Sequence, residues 1–183
     1  DAGTWTLSGA NTYTGASSVN VGILNIRHNT ALGTAAAGTT VASGATLEIQ
    51  NGITVTGESL IATGDGVGGT AGVIHNVGGA NTWTGTLAIS STINVDASTS
   101  LEISGAISGS GGLTKTGTGT LILSGNNSFT GITAVTQGVV NIRHASALGA
   151  TAGGATDGTT VTGGAALEIQ NNIAVGAEAL TLN

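Results

Sequence analysis

The chain has 183 residues, of which 7% are charged and 2% aromatic, with 33 glycines and no proline, cysteine or methionine. Three cations, Arg27, Lys115 and Arg143, against nine acids give a net charge of −6, which leaves no basic patch for nucleic acid or an anionic membrane. No apolar run reaches the roughly 18–20 residues of a membrane-spanning helix, and the absence of cysteine excludes disulfides and thiolate metal sites.

Hydrophobic residues make up 39% and alternate regularly, so the composition favours a folded chain over a disordered one. Thr, Val, Ile and Leu fall in short alternations punctuated by Gly, Asn, Ser and Asp, a pattern of many short strands with little helix. In chain order the predicted strands are 4–7, 19–21, 23–26, 39–41, 47–49, 53–55 and 60–61. The middle of the chain offers 73–74, 87–89, 93–95, 101–103, 107 and 113. The last group is 120–123, 133–135, 139–142, 159–161, 167–169, 173–175 and 180–182. The alanine run 35–37 and the stretch 150–154 are read as loops at bends.

Equivalent strands recur after 23 residues (Leu24 to Leu47) or 19 (Val41 to Leu60). That spacing fits one turn of a β-solenoid with three strands and three bends per coil. Coils stacked about 4.8 Å apart pair in parallel. The predicted fold is all-β, a parallel β-helix of about 8–9 coils and roughly 40 Å.

A longer repeat overlies the coils. Residues 3–33 recur as 119–149 with 17 of 31 positions identical, and the match resumes with Leu-Glu-Ile-Gln-Asn at 47–51 and 167–171. The expected organisation is one solenoid over 1–183, with copy 3–63 matching 119–183 and linking coils at 64–118. Asn183 aligns with Thr63, so the chain stops inside a unit. An excerpt of a longer array is expected, continued by further coils of the same chain or by end-to-end self-association.

Residues 109–121 read G-S-G-G-L-T-K-T-G-T-G-T-L, followed by L-S-G-N-N-S-F-T-G at 123–131 and G-V-V-N-I at 138–142. This succession, within residues 101–142, resembles the passenger-associated transport repeat, also called the autotransporter-associated β-strand repeat. Residues 3–26 are similar to its second half, and 78–107 to a related linking segment with an N-T-W-T-G core. The resemblance implies a right-handed parallel β-helix exported to the bacterial cell surface, serving as stalk or adhesin and supporting its own transport. It implies no catalytic residue and no cofactor. Partners would be molecules or glycans of a host or neighbouring cell, and the segment would not insert in a membrane.

Few residues suggest chemistry. Tyr13, Trp83 and Phe129 occupy one position of a thrice-repeated G-x-N-x-aromatic-T-G motif, where each ring either plugs a bend or contacts a ligand. Glu48, Glu102 and Glu168 each stand between Leu and Ile, so alternation points them outward. A metal site or a glycosidase pair needs carboxylates within about 5–10 Å, whereas Glu48 and Glu168 are expected some 25 Å apart. Arg27-His28 and Arg143-His144 repeat at the start of a bend, as caps or ligand contacts, with no second metal ligand at a useful spacing. Residues 63–69 are similar to a calcium-binding nonapeptide but lack its order, and are read as a turn.

The leading expectation is therefore a structural surface segment without catalytic, cofactor or metal residues. A carbohydrate-binding or polysaccharide-degrading β-helix is the alternative. An ice-binding solenoid is disfavoured because the Thr-x-Thr pairs, beginning at 4, 12, 54, 82 and 114, share no spacing.

Overall fold

Short alternations can hide one face only if another strand satisfies their backbone, and here the neighbouring coil does so. The computed structural model describes residues 3–150 and 158–183 and contains nineteen strands, all paired in parallel. Among the described residues the one helical element is a single 3-10 turn, Val67–Gly69.

The main path of the first sheet runs Thr4–Leu7, Gly22–Ile26, Ala45–Ile49, Ile74–Asn76, the second half of Leu87–Val95, Leu113–Thr116, Thr133–Val135, Thr159–Val161 and Leu180–Leu182. A second sheet stacks Thr54–Val55, Ala80–Trp83, Ser100–Ile103, Thr120–Leu123, Val139–Ile142 and Ala166–Ile169. A third face holds Ser17–Val19, Thr39–Val41, Leu60–Gly64, the first half of Leu87–Val95 and Ile107–Ser108. The nine strands of the first path enclose eight turns. The molecule is a parallel β-solenoid, its coils spaced by roughly 4.8 Å.

Two expectations about elements need correction. Residues 80–83, read as part of a bend motif, form a strand, while 173–175 form none. The stretch 150–154 falls almost wholly outside the described residues.

The interior is an aliphatic column. Ile26, Leu47, Ile49, Leu101, Ile103, Leu121, Leu123 and Ile142 are all essentially inaccessible, while Glu48 and Glu102 between them face outward and are partly exposed. Leu7, Leu167 and Val175 are only half-buried and Ile169 is 57% exposed. These four lie on the outermost coils, where one side has no stacked neighbour in this chain.

The corners demand small residues. A Cβ on Gly105 would stand 1.8 Å from the carbonyl oxygen of Gly85, and one on Gly125 would stand 2.4 Å from that of Gly105. Successive coils therefore touch through a glycine column, and no side chain fits between them.

The repeat and the coil are out of phase. Thr4–Leu7, Gly22–Ile26 and Ala45–Ile49 lie in the first sheet, but their sequence repeats Thr120–Leu123, Val139–Ile142 and Ala166–Ile169 lie in the second. Likewise Ser17–Val19 and Thr39–Val41 line the third face, and their repeats Thr133–Val135 and Thr159–Val161 join the main path of the first sheet. From Thr4–Leu7 the first-sheet face returns at 22–26, 45–49, 74–76, 93–95 and 113–116, and 120–123 follows one face later. One repeat thus advances five and one third coils.

Among the described residues one cation lies inside. Lys115 is fully buried, and its ammonium donates to the carbonyls of Thr116 at 2.6 Å, Gly117 at 2.7 Å and Gln137 at 3.3 Å. Three N–H groups meet three corner carbonyls on two adjacent coils, which ties the corners together. Burial lowers its pKa from 10.5 to about 8. The unfolded chain therefore holds the proton between those values while the folded chain has released it, so stability rises with pH from about 8 to 10.5. Lys115→Met should cost on the order of 2 kcal/mol by leaving the carbonyls unpaired and should abolish that rise. Urea melts of both proteins across pH 7.5–10.5 measure it, and parallel pH profiles would refute the assignment.

Candidate functional site

The thrice-repeated motif is explained first by its asparagine. Asn81 Oδ1 accepts the backbone N–H of Ile53 at 2.6 Å, and Asn127 Oδ1 accepts that of Ile107 at 2.8 Å. Asn127 Nδ2 then donates to the Ala147 carbonyl on the next coil at 2.6 Å, as Asn11 Nδ2 does to Ala31 at 2.8 Å. The amide thus stands in for a backbone group at a corner, and Asn81 and Asn127 are buried in doing so.

The aromatic two residues later packs beside it. Trp83 is 2% exposed and Phe129 is fully buried, whereas Tyr13 is 40% exposed. The Trp83 indole donates to the Glu58 carbonyl at 2.9 Å. Phe129 lies on Gly149 and Tyr13 on Gly33, where an added Cβ would come within 3.0 Å or less of ring carbons. Tyr13 sits on the first coil and its hydroxyl reaches Ser17 Oγ at 2.9 Å. The three rings do not form a row, since Trp83 belongs to the second sheet while Phe129 follows Ile107 on the third face. Trp83 and Phe129 present no open ring face to a ligand.

A polar relay repeats on the outer surface. Arg27 Nε donates to Asn25 Oδ1 at 2.8 Å, and Asn25 Nδ2 donates to Glu48 Oε2 at 2.8 Å on the adjoining coil. The second copy reproduces it: Arg143 Nε to Asn141 Oδ1 at 3.0 Å, and Asn141 Nδ2 to Glu168 Oε2 at 2.8 Å. A cation and an anion are joined through an amide, and the link crosses from one coil to the next. The histidine beside each arginine does different work. His28 Nδ1 accepts the Thr30 N–H at 3.2 Å and His144 Nδ1 that of Ser146 at 3.0 Å, so both cap the bend.

Sequence reasoning missed His75 and Glu58. His75 pairs in register with Glu48, and its Nε2 lies 2.9 Å from Asp96 Oδ1 while Nδ1 lies 3.8 Å from Glu48 Oε1. No repeat marks this histidine, and only the coil register brings the two carboxylates to its sides. Glu58 is 3% exposed and accepts the Thr39 hydroxyl at 2.7 Å. Its repeat, Glu178 with Thr159, makes the same contact, and that recurrence was the available signal. Glu102 takes the Ser124 hydroxyl at 2.7 Å. Each outward carboxylate of the Leu-Glu-Ile strands is thus bonded to a neighbouring coil.

Trp83→Ala and Phe129→Ala should each destabilise the fold by roughly 3–5 kcal/mol, while Tyr13→Ala should cost under about 1 kcal/mol, as measured by chemical denaturation. Equal costs at all three positions would contradict the packing described. Asn127→Leu should cost about 2 kcal/mol by stranding the Ile107 N–H and the Ala147 carbonyl.

The passenger-associated-transport-repeat family model matches residues 1–26 and 113–142. A relative, the adhesin BmaC autotransporter of Brucella suis biovar 1 (strain 1330), is 39% identical over 113 residues. That match covers 54% of this chain and 3% of the relative, so the chain corresponds to a small fraction of that protein's length. No solved structure matches the chain. The second matched stretch begins at the strand bearing Lys115, includes Asn127 and Phe129, and ends at the relay residue Asn141 and its neighbour Ile142. The described residues of the two matched stretches, 3–26 and 113–142, lie in coils of the parallel β-helix.

Proposed function

We propose that this chain is a length of rod in the exported passenger of an autotransporter-type bacterial surface adhesin, giving it reach and supporting its own transport. The observation that carries the reading is the passenger repeat lying in uninterrupted coils of a solenoid. The adhesin relative from Brucella suis agrees with it.

The physics of the rod suits export as an unfolded thread. Each strand pairs with one roughly a coil away in sequence, such as Thr120 with Val139 and Leu101 with Leu121. A coil emerging from a pore can therefore fold on its predecessor without waiting for distant chain, and its burial opposes backsliding. The absence of cysteine removes any premature cross-link on the way. The low charge and the bonded carboxylates suit a scaffold better than a hydrolase. The paired acids nearest to a catalytic arrangement, Glu48 and Asp96, are both engaged with His75.

The test is display. Fused between a signal peptide and an autotransporter β-barrel, the chain should appear outside the cell and be cleaved by added protease, and loss of residues 113–142 should reduce display several-fold. Retention in the periplasm with an intact barrel would overturn the reading. Incubation with a panel of polysaccharides should release no reducing ends, and measurable release abolished by Glu48→Ala or Asp96→Ala would show an enzyme instead.

A further inference from the structure

The bend that follows Ala45–Ile49 turns through two left-handed residues. Asn51 and Gly52 have φ of 85° and 67°, and both are exposed. Asparagine and glycine bear this conformation at the least cost. The second copy meets the same demand with Asn171 and Asn172, at φ of 63° and 54°. Bend geometry has thus placed in the first copy the one Asn-Gly step of the sequence, where no side chain shields the amide that follows the asparagine.

The fold protects most of its other asparagines by occupying the N–H that follows them. After Asn29, Thr30 N–H donates to His28 Nδ1. After Asn76 and Asn81, the N–H groups of Val77 and Thr82 meet the carbonyls of Ile49 and Ile53. After Asn126 and Asn127, those of Asn127 and Ser128 meet the carbonyls of Ser146 and Ile107. Asn25, Asn94 and Asn141 lie inside strands. Asn11 and Asn20 precede Thr12 and Val21, whose branched side chains crowd the amide. Gly52 N–H, by contrast, makes no hydrogen bond among the described residues. Gly79 of the next coil lies beside it, and a Cβ there would stand 2.6 Å from the Gly52 nitrogen, so the glycine leaves it uncrowded. The Asn51 side chain is held only by a 3.5 Å contact from Nδ2 to the Arg27 carbonyl.

We propose that Asn51 is a self-modification site, at which the Gly52 amide displaces the side-chain amide of Asn51 and leaves aspartate and isoaspartate. The Gly52 nitrogen, its proton taken by hydroxide, bonds to Asn51 Cγ, and the Cγ–Nδ2 bond breaks to release ammonia. Water then opens the cyclic imide. Cleavage of the bond from nitrogen to Cγ gives aspartate. Cleavage of the bond to the main-chain carbonyl carbon gives isoaspartate, whose backbone runs on through Cβ and Cγ. Water is the only co-reactant, and the sum is one amide hydrolysed. Asparagine is a thermolabile residue for this reason, and here the fold leaves one position open to it.

Both products disturb the corner. Each adds a negative charge to a chain that already carries a net −6, and each removes the donor that faces the Arg27 carbonyl. Isoaspartate also lengthens the backbone between two anchors to the next coil. Asn51 N–H donates to the Gly78 carbonyl at 3.2 Å, and Ile53 N–H donates to Asn81 Oδ1 at 2.6 Å. An added backbone atom between them puts the two bonds out of step. The reaction belongs to the folded chain itself and does not depend on where the chain is displayed.

The experiment ages the purified chain in mildly alkaline buffer made with 18O-water, then digests it and maps the peptides by mass spectrometry. The peptide bearing Asn51 should split into aspartate and isoaspartate forms, each carrying one solvent oxygen, while Asn171 converts at least tenfold more slowly. Gly52→Asn, which copies the second repeat, should slow position 51 to the rate of 171. The reciprocal Asn172→Gly should speed position 171 at least tenfold. Aged protein should also unfold at lower urea than fresh protein, and the Gly52→Asn variant aged alongside should not. Asn51 left intact after a free peptide of residues 49–54 has fully converted would overturn the proposal, because the corner would then be holding the two groups apart. Conversion of Asn171 as fast as Asn51, or ageing of Gly52→Asn at the parent rate, would do the same. Should Gly52→Asn fail to fold, Asn172→Gly carries the comparison, and an inert Asn171 in that variant counts against the site.

Discussion

Parallel pairing between consecutive coils is the interaction on which this structure depends. A strand of three to five residues cannot satisfy its own backbone, and the corners interrupt it too often for a hairpin. Stacking gives every interior strand two neighbours at a fixed spacing, so the same N–H and C=O groups are satisfied coil after coil. The interior then needs only aliphatic side chains at alternate positions, and Ile26, Leu47, Leu101 and Leu121 supply them. What remains is to satisfy the corners, where the ladder is broken.

Several of the polar side chains buried in this fold serve the corners. Asn127 replaces a missing backbone pair with its amide, reaching both adjacent coils. Lys115 does so with a cation that meets three carbonyls, at the expense of a desolvation that lowers its pKa. The glycines at 85, 105 and 125 solve the same problem by removing the side chain altogether. The asparagine and glycines therefore recur in the motif for backbone reasons.

The strands and the coil spacing were legible because they rest on local alternation and a period of about 20 residues. Thr4–Leu7, Thr39–Val41, Thr133–Val135 and Thr159–Val161 have the boundaries that alternation predicts. Ala80–Trp83 was not, because its Asn-Thr-Trp carries turn chemistry, and pairing with Ser100–Ile103 overrides it. The groups that surround His75 were invisible for another reason. Glu48, His75 and Asp96 are more than 20 residues apart in steps, and only the register of Ala45–Ile49 with Ile74–Asn76 joins them. A surface groove of about 580 Å³, lined by Thr70, Asn94, Asp96, Thr116, Thr136 and Gln137, was likewise out of reach, since its residues come from three coils and the loop at 65–73.

The fractional advance of the repeat changes what its surface can do. Equivalent strands shift by one face per unit, so the relay of Arg27, Asn25 and Glu48 lies on the first sheet while that of Arg143, Asn141 and Glu168 lies on the second. A feature borne by the repeat is thus turned by one face at each step and cannot line up with its own copy along one side of the rod. The same sequence tolerates different faces because each asks for the same things: a short alternation, β-branched or aliphatic residues inward, and a small residue at the corner. The surface groove stands apart from this rotation. It is built where the linking coils meet the second copy, with Thr70, Asn94, Asp96 and Thr116 in the former and Thr136 and Gln137 in the latter, so the repeat does not reproduce it.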